Sequence, residues 1–253
     1  MRPQPICTVP WLAVATVVCA VLAISAAPWA LGMPALNFVF KPLTTLLVIA
    51  HAWPRGLQQP AQRRWVLVGL SLSWIGDVAL LWPQQGFLPG LLSFLLAHLA
   101  YLVAFTREQR GTVRVAVRVA VRVAARMAVR MLPFVVYTLI AAAVLWHLWP
   151  GVPPALRLPV LAYVLCLSAM AAQTGALALA GGPRGRVLAL GGALFMLSDA
   201  LLATNKFAGP LPLANLSILA SYWAAQWCIA SWLAAATTPA HAPATTARSP
   251  PAR

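Results

Sequence analysis

Two aspartates stand in surroundings built for lipid. Asp77 lies within GLSLSWIGDVALL, residues 69–81, and Asp199 within GGALFMLSDALLA, residues 191–203. A charged carboxylate at the centre of a membrane-spanning helix costs about 2.5–3.5 kcal/mol on the lenient insertion scale, so it normally faces a cavity or a partner. One cation, Lys41, also lies inside an apolar run. A salt bridge between Lys41 and one aspartate would fix helix packing, but it would leave the second carboxylate unpaired. Two carboxylates near one cation in a partly dry cavity instead divide their roles, one holding a proton and the other ionised. Such a pair is an acid/base device.

Other polar residues in apolar surroundings offer less. His98 falls in mid-helix, where a hydrogen-bonded packing role competes with chemistry. Tyr222, Gln226 and Asn215 on the last apolar segment serve either a binding site or interhelical hydrogen bonding. Ser71, Ser73 and Ser198 lack the GxSxG elbow of a serine nucleophile. His51, His98, His147 and His241 show no HExxH or comparable spacing, so neither a metal nor another cofactor is expected. Cys7, Cys19, Cys166 and Cys228 form no recognisable disulfide framework or metal motif.

The elements that position these residues follow from composition. The 253-residue chain is 62% hydrophobic and only 8% charged, with a mean hydropathy of +0.83, which excludes an ordinary soluble domain. Apolar segments long enough to cross a bilayer fall near residues 11–27, 36–53, 65–82, 87–105, 132–149, 159–180, 187–204 and 211–235. The reading is an all-α membrane protein of eight transmembrane helices over residues 1–236, with a bacterial inner membrane as the expected location. The first segment follows Arg2 and ends in Ser25-Ala26-Ala27, so a cleaved signal peptide competes with the retained helix we favour.

The net charge of +15 suggests nucleic acid at first sight, but the basic residues sit in short segments between apolar runs, where topology places them. No nucleic-acid partner is expected. With the N-terminus cytoplasmic, that side collects Arg55, Arg63, Arg64, Arg107 to Arg130, Arg184 and Arg186, while the opposite side holds only Arg157 and Lys206. Both termini are therefore placed in the cytoplasm. Residues 112–131 carry an arginine at every fourth position, Arg114 to Arg130, interleaved with valine. Helical and strand periods both match. A helix is favoured because it closes its own hydrogen bonds at the membrane, where it lies as a lipid-facing topogenic segment or binds anionic lipid. Residues 237–253, rich in Pro, Ala and Thr, read as a disordered tail.

On this topology each aspartate lies five residues before the predicted outer end of its span, and Lys41 falls at a similar depth after Leu36. The two aspartate segments also look like copies. Gly69 precedes Asp77, and Gly191 precedes Asp199, by the same interval. The next helices begin GFLPG and GPLP and then carry Ser93 and His98, or Ser217 and Tyr222, at nearly matching offsets. An even number of spans separates the copies, which suggests two parallel four-helix repeats with a site between them.

Taken in order, KPLTT at Lys41, GLSLSWIGDVALL, FLPGLLSFLLAHLAYLVAF at Phe87, GGALFMLSDALLATNKF and SYWAAQ at Ser221 resemble the YhhN-like membrane family that includes the lysoplasmalogenases. The resemblance runs from about Lys41 to Gln226. It implies an eight-helix membrane hydrolase that cleaves the vinyl ether bond of a lysophospholipid substrate, a lysoplasmalogen, to a fatty aldehyde and glycerophosphoethanolamine or glycerophosphocholine. It further implies that Asp77 and Asp199 are catalytic and that Lys41, His98, Asn205, Tyr222 and Gln226 are pocket positions. Lys41 then either holds one aspartate ionised or binds the substrate phosphate. The arginine–valine repeat departs from the family pattern. A reading of another class is a small proton-coupled carrier that uses the two aspartates as relay groups.

Overall fold

A computed structural model describes residues 10–109 and 120–235. Among these residues the chain is all-helical, with no strand: α1 (Pro10–Ser25), α2 (Pro34–Ala52), α3 (Pro60–Ala79), α4 (Phe87–Gln109), α5 (Ala120–Leu148), a 3-10 turn (Trp149–Gly151), α6 (Pro154–Leu179), α7 (Pro183–Phe207) and α8 (Ala214–Trp232). Proline opens α2, α3, α6 and α7, where its missing N–H is one that no intrahelical carbonyl would have bound. Gly56 turns the chain from α2 into α3 at φ +69, and its N–H donates to the carbonyl of Ala234 at 2.8 Å, tying that turn to the end of α8.

Five helical stretches are long and apolar enough to cross a membrane: Pro34–Ala52, Phe87–Arg107, Arg130–Gly151, Pro154–Leu179 and Pro183–Phe207. The remaining helices depart from that pattern for visible reasons. α1 is shorter, α3 carries Gln62, Arg63 and Arg64 in its first turns, and α8 carries Ser217, Ser221 and Gln226. The molecule is an integral, multi-pass membrane protein. Its outward side chains agree: Val14, Val18 and Val21 of α1 and Leu132, Leu139 and Trp146 of α5 are exposed, a surface suited to lipid rather than water.

The arginine–valine segment is helical from Ala120 onward as the first turns of α5, which therefore begins well before residue 132. Residues 112–119 of that segment, and the tail 237–253, lie outside the described residues.

The strongest packing joins neighbours in sequence, α3 with α4 and α7 with α8, while α2 closes against both α3 and α8 and α6 against both α4 and α7. Small residues permit the approach. A side chain at Gly69 would run into the ring of Tyr101, and a Cβ at Gly76 would lie 2.6 Å from the ring of Phe94. In lipid, close backbone approach of this kind, rather than expulsion of water, holds helices together. The core so formed contains Tyr101, Phe105, Phe195, Met170 and Leu70, with His98 and Gln226 fully buried among them.

One expectation of depth changes. Asp77 stands two residues before the end of α3 at Ala79, whereas Asp199 stands eight residues before the end of α7 at Phe207. Leu80, Leu81 and Trp82 continue the apolar run past the helix, so hydropathy alone places the end of α3 too late.

Candidate active site

Asp77 sits in a closed nest of donors. It is 1% exposed, and its Oδ2 accepts a hydrogen bond from Thr45 Oγ1 at 2.6 Å and another from the Tyr222 hydroxyl at 2.8 Å. Lys41 Nζ lies 3.9 Å from Oδ1. Behind each hydroxyl stands a further donor: Trp223 Nε1–H donates to Thr45 Oγ1 at 3.2 Å, and Gln226 Nε2–H donates to the Tyr222 oxygen at 3.2 Å. The Tyr101 hydroxyl in turn donates to Gln226 Oε1 at 2.7 Å. Two donor chains thus converge on one carboxylate oxygen, and chains so oriented polarise each other in a low-dielectric interior. The nest suits an anion.

Asp199 lies in different surroundings. The Tyr163 hydroxyl donates to its Oδ2 at 2.7 Å, and His98 Nε2 stands 3.8 Å from that oxygen, beyond hydrogen-bond length. The His98 ring is fully buried with neither nitrogen hydrogen-bonded, held edge-on to Tyr163 and Phe195 at centroid distances of 5.2 and 4.6 Å. Unlike Asp77, Asp199 opens onto a cavity of about 520 Å³. Helices α4 to α7 wall this slot, with Leu91, Phe94, Ile140, Val144, Leu167 and Met196 among its apolar lining. Among the lining residues Asp199 is the only carboxylate, and Tyr163 and Tyr137 bring hydroxyls.

The slot follows α7 from Ala193 to Phe207, a length of about 20 Å at the helical rise. Asp199 therefore meets it partway along, with apolar wall on both sides. Phe94 lines the slot and packs edge-on against Tyr222 at 5.8 Å, and behind the slot wall Phe195 also packs edge-on against Tyr222 at 5.6 Å. An aromatic partition thus separates the slot from the Asp77 nest.

The expected residues fall into three groups. Lys41, Tyr222 and Gln226 gather at Asp77, and His98 stands beside Asp199. Asn205 engages the chain beyond α7: its Oδ1 accepts the N–H of Leu211 at 2.9 Å and holds the α7–α8 turn. Asn215 is exposed in the first turn of α8 and does not line the slot. Lys41, 7% exposed and engaged by Asp77, does not line it either.

Sequence reasoning passed over Tyr163 and Thr45, the strongest donors to the two aspartates. A signal existed for the tyrosine. The chain has four tyrosines, at 101, 137, 163 and 222, and all lie inside helices rather than near their ends, where an interfacial belt would place them. A tyrosine buried that deep needs a partner for its hydroxyl. Among the described residues no group of His, Cys, Asp or Glu side chains could hold a metal ion.

Fold and site together define a class: a multi-pass membrane protein with two carboxylates buried between helices, one sealed and one facing an apolar slot. Residues 36–233 match the YhhN family, and the chain belongs to it. Among its relatives, Lysoplasmalogenase TMEM86B of Sus scrofa is 35% identical over 187 residues, covering 73% of this chain and 69% of the relative. Lysoplasmalogenase TMEM86A of Homo sapiens is 35% identical over 195 residues, covering 73% and 71%. The membrane protein YhhN of Escherichia coli O157:H7 is 38% identical over 72 residues, covering 28% and 34%. No solved structure matches the chain.

Proposed function

We propose that this protein is a lysoplasmalogenase-type ether hydrolase whose reaction takes place at Asp199, inside the slot. The observation that carries the reading is a carboxyl group, oriented by a tyrosine, on the wall of an otherwise apolar cavity long enough for a lipid chain. The similarity to proteins named lysoplasmalogenase supplies the substrate class.

The reaction begins with protonation of the outer alkene carbon by Asp199, which converts the vinyl ether to an oxocarbenium ion. Tyr163 holds Oδ2, so Oδ1 is the oxygen that carries and delivers the proton. The resulting carboxylate then takes a proton from the water that attacks the cationic carbon, as paired carboxylates do around the oxocarbenium of glycoside hydrolysis. The hemiacetal collapses to a fatty aldehyde and the alcohol of the glycerophospho-head-group, and one water is consumed. Asp77 acts from behind the aromatic partition. Its donor-rich nest suits a fixed negative charge, and that charge favours the cation as it forms.

The same reading covers the scaffold. Eight helices span the membrane with both termini cytoplasmic, in two parallel four-helix units. What supports the repeat is reciprocity of neighbours: Asp77 of α3 accepts from α2 and α8, and Asp199 of α7 accepts from α6 and faces His98 of α4 at 3.8 Å, beyond hydrogen-bond length. The test is to incubate purified protein with lysoplasmenylethanolamine and with its saturated ether analogue, without any ion gradient, and to measure aldehyde. Aldehyde from the vinyl ether alone supports the hydrolase. No aldehyde from folded protein removes it and favours the proton-coupled carrier.

A further inference from the structure

We infer that Lys206 is the substrate's phosphate anchor, fixing the lysophospholipid so that its vinyl ether stops at Asp199; the inference rests on the hydrolase reading above. Lys206 follows Asp199 by seven residues on α7, close to two full turns, so both side chains leave the same face of the helix. Ala200, Ala203 and Phe207, between and beside them, all line the slot. Lys206 is exposed, and its Nζ lies 4.9 Å from the ring centroid of Phe87, another slot residue that packs edge-on against Phe207 at 5.8 Å. The ammonium therefore stands at the end of the slot where α7 stops.

The spacing fits the ligand. The helical rise sets Lys206 about 10 Å from Asp199 along α7. In a lysophospholipid vinyl ether the protonated carbon and the phosphorus are separated by about seven bonds, or ~8 Å when extended at the ~1.2 Å per bond of a fully extended chain. The flexible lysine stem takes up the difference. An anion also meets no competition here. The chain has three acidic residues, of which Asp77 and Asp199 are already engaged, and Glu108 belongs to the far end of α4 from Phe87. Lys41, the other candidate for the phosphate, is taken by Asp77 behind the partition.

The test compares Lys206→Ala, Lys206→Glu and Lys206→Arg on two substrates, a 1-alkenyl lysophospholipid and the 1-alkenylglycerol that lacks phosphate. For the phosphate-bearing substrate, Lys206→Ala is expected to raise KM about five- to tenfold, as the loss of one partly solvated charge-assisted contact should. Lys206→Glu raises it further, Lys206→Arg restores it, and kcat changes little. For 1-alkenylglycerol the variants match the wild type. Equal KM in Lys206→Ala and the wild type overturns the inference, as does an equal loss on both substrates. If the wild type hydrolyses neither, the hydrolase reading fails by itself. Binding of a saturated 1-alkyl lysophospholipid, followed by tryptophan fluorescence, then decides on Lys206: weaker binding by Lys206→Ala supports the anchor and unchanged binding removes it. Inorganic phosphate at millimolar concentration should not compete; competition would mark a free-phosphate site and overturn the lipid assignment.

Discussion

The contact between Lys41 and Asp77 lends itself to a double-substitution cycle, because it separates a packing role from a catalytic one. At 3.9 Å, opposite charges attract by about 4 kcal/mol at the effective dielectric of a protein near its surface. Burial of both groups offsets most of that gain, so the pair adds little against a neutral pair of similar shape. Removing one partner alone is a different matter. Lys41→Met leaves a carboxylate with only Thr45 and Tyr222, and Asp77→Asn leaves a buried ammonium with no counter-charge. Loss of one member of a buried pair costs roughly 3–5 kcal/mol; because the groups stand beyond hydrogen-bond length and the hydroxyl donors remain, we expect about 2 kcal/mol for each single variant. At roughly 2–4 °C per kcal/mol for a chain of this size, each lowers the melting temperature in detergent by about 4–8 °C. The double variant, neutral on both sides with the Asn oxygen still accepting from both hydroxyls, should lose only about 1 kcal/mol, a coupling of ~3 kcal/mol. Tryptophan fluorescence during heating supplies the measurement. A double variant that loses the full sum of the single losses refutes the coupling. Aldehyde release by the folded double variant then separates the two roles: no turnover places Asp77 in the chemistry, and wild-type turnover makes the pair a packing device.

The other expectations concern the slot and its walls. Asp199→Asn keeps the shape and the Tyr163 contact but carries no proton to give, and should lower kcat about 10²–10⁴-fold with the melting temperature nearly unchanged, measured by aldehyde release. Tyr163→Phe removes one hydrogen bond, about 1 kcal/mol, and should lower kcat while leaving KM close to its wild-type value. Gly69→Ala drives a methyl into the ring of Tyr101 and disturbs its bond to Gln226, so a loss of about 1–3 kcal/mol is expected in thermal unfolding. Ala141→Phe puts a ring into the α5 wall of the slot, where the native residue is buried, and should lower kcat/KM for long alkenyl chains more than for short ones. Equal loss at every chain length would show that the slot does not hold the chain.

The carboxylates were legible in the sequence because charge in an apolar run is costly and therefore conspicuous, and Lys41 was legible as their cation on the same ground. The difference between the two carboxylates' surroundings was not. Thr45 and Tyr163 look like ordinary members of apolar segments, since a hydroxyl adds little to the cost of insertion, and only the fold brings them onto a carboxylate. Asn205 and Asn215 could not be placed from sequence either: the family resemblance marks Asn205 as a pocket position, and in the fold it accepts the N–H of Leu211, while Asn215, left open between binding and interhelical bonding, is exposed. Helix order followed from hydropathy, but several ends did not: α3 and α6 begin earlier, at Pro60 and Pro154, α4 runs on to Gln109, and the end of α3 and the start of α5 also shift. At α3 the apolar run outlasts the helix; at α5 the helix outlasts the apolar run, because arginine and alanine sustain a helix without favouring lipid.

The reciprocity of the two hairpins bears on why one carboxylate is sealed and the other open. If the chain is two related four-helix units, α1 and α5 hold equivalent places, and they pack differently. Both pack mainly on the helix that follows, α1 on α2 and α5 on α6, but α1 also touches α8 lightly, whereas α5 touches α7 lightly and has the slot between it and α4, α6 and α7. Around Asp77 stand Lys41, Thr45 and, behind it, Trp223; Asp199 faces the apolar slot. A duplicated scaffold could have kept two equal sites, each with its own cavity. On the function proposed above, the donors and the cation around Asp77 suit a fixed charge, while Asp199, open to the slot, is the carboxyl that meets the substrate. Asp77 of α3 accepts from Tyr222 of α8, and Asp199 of α7 faces His98 of α4 at 3.8 Å, so each carboxylate lies where the hairpins α3–α4 and α7–α8 meet.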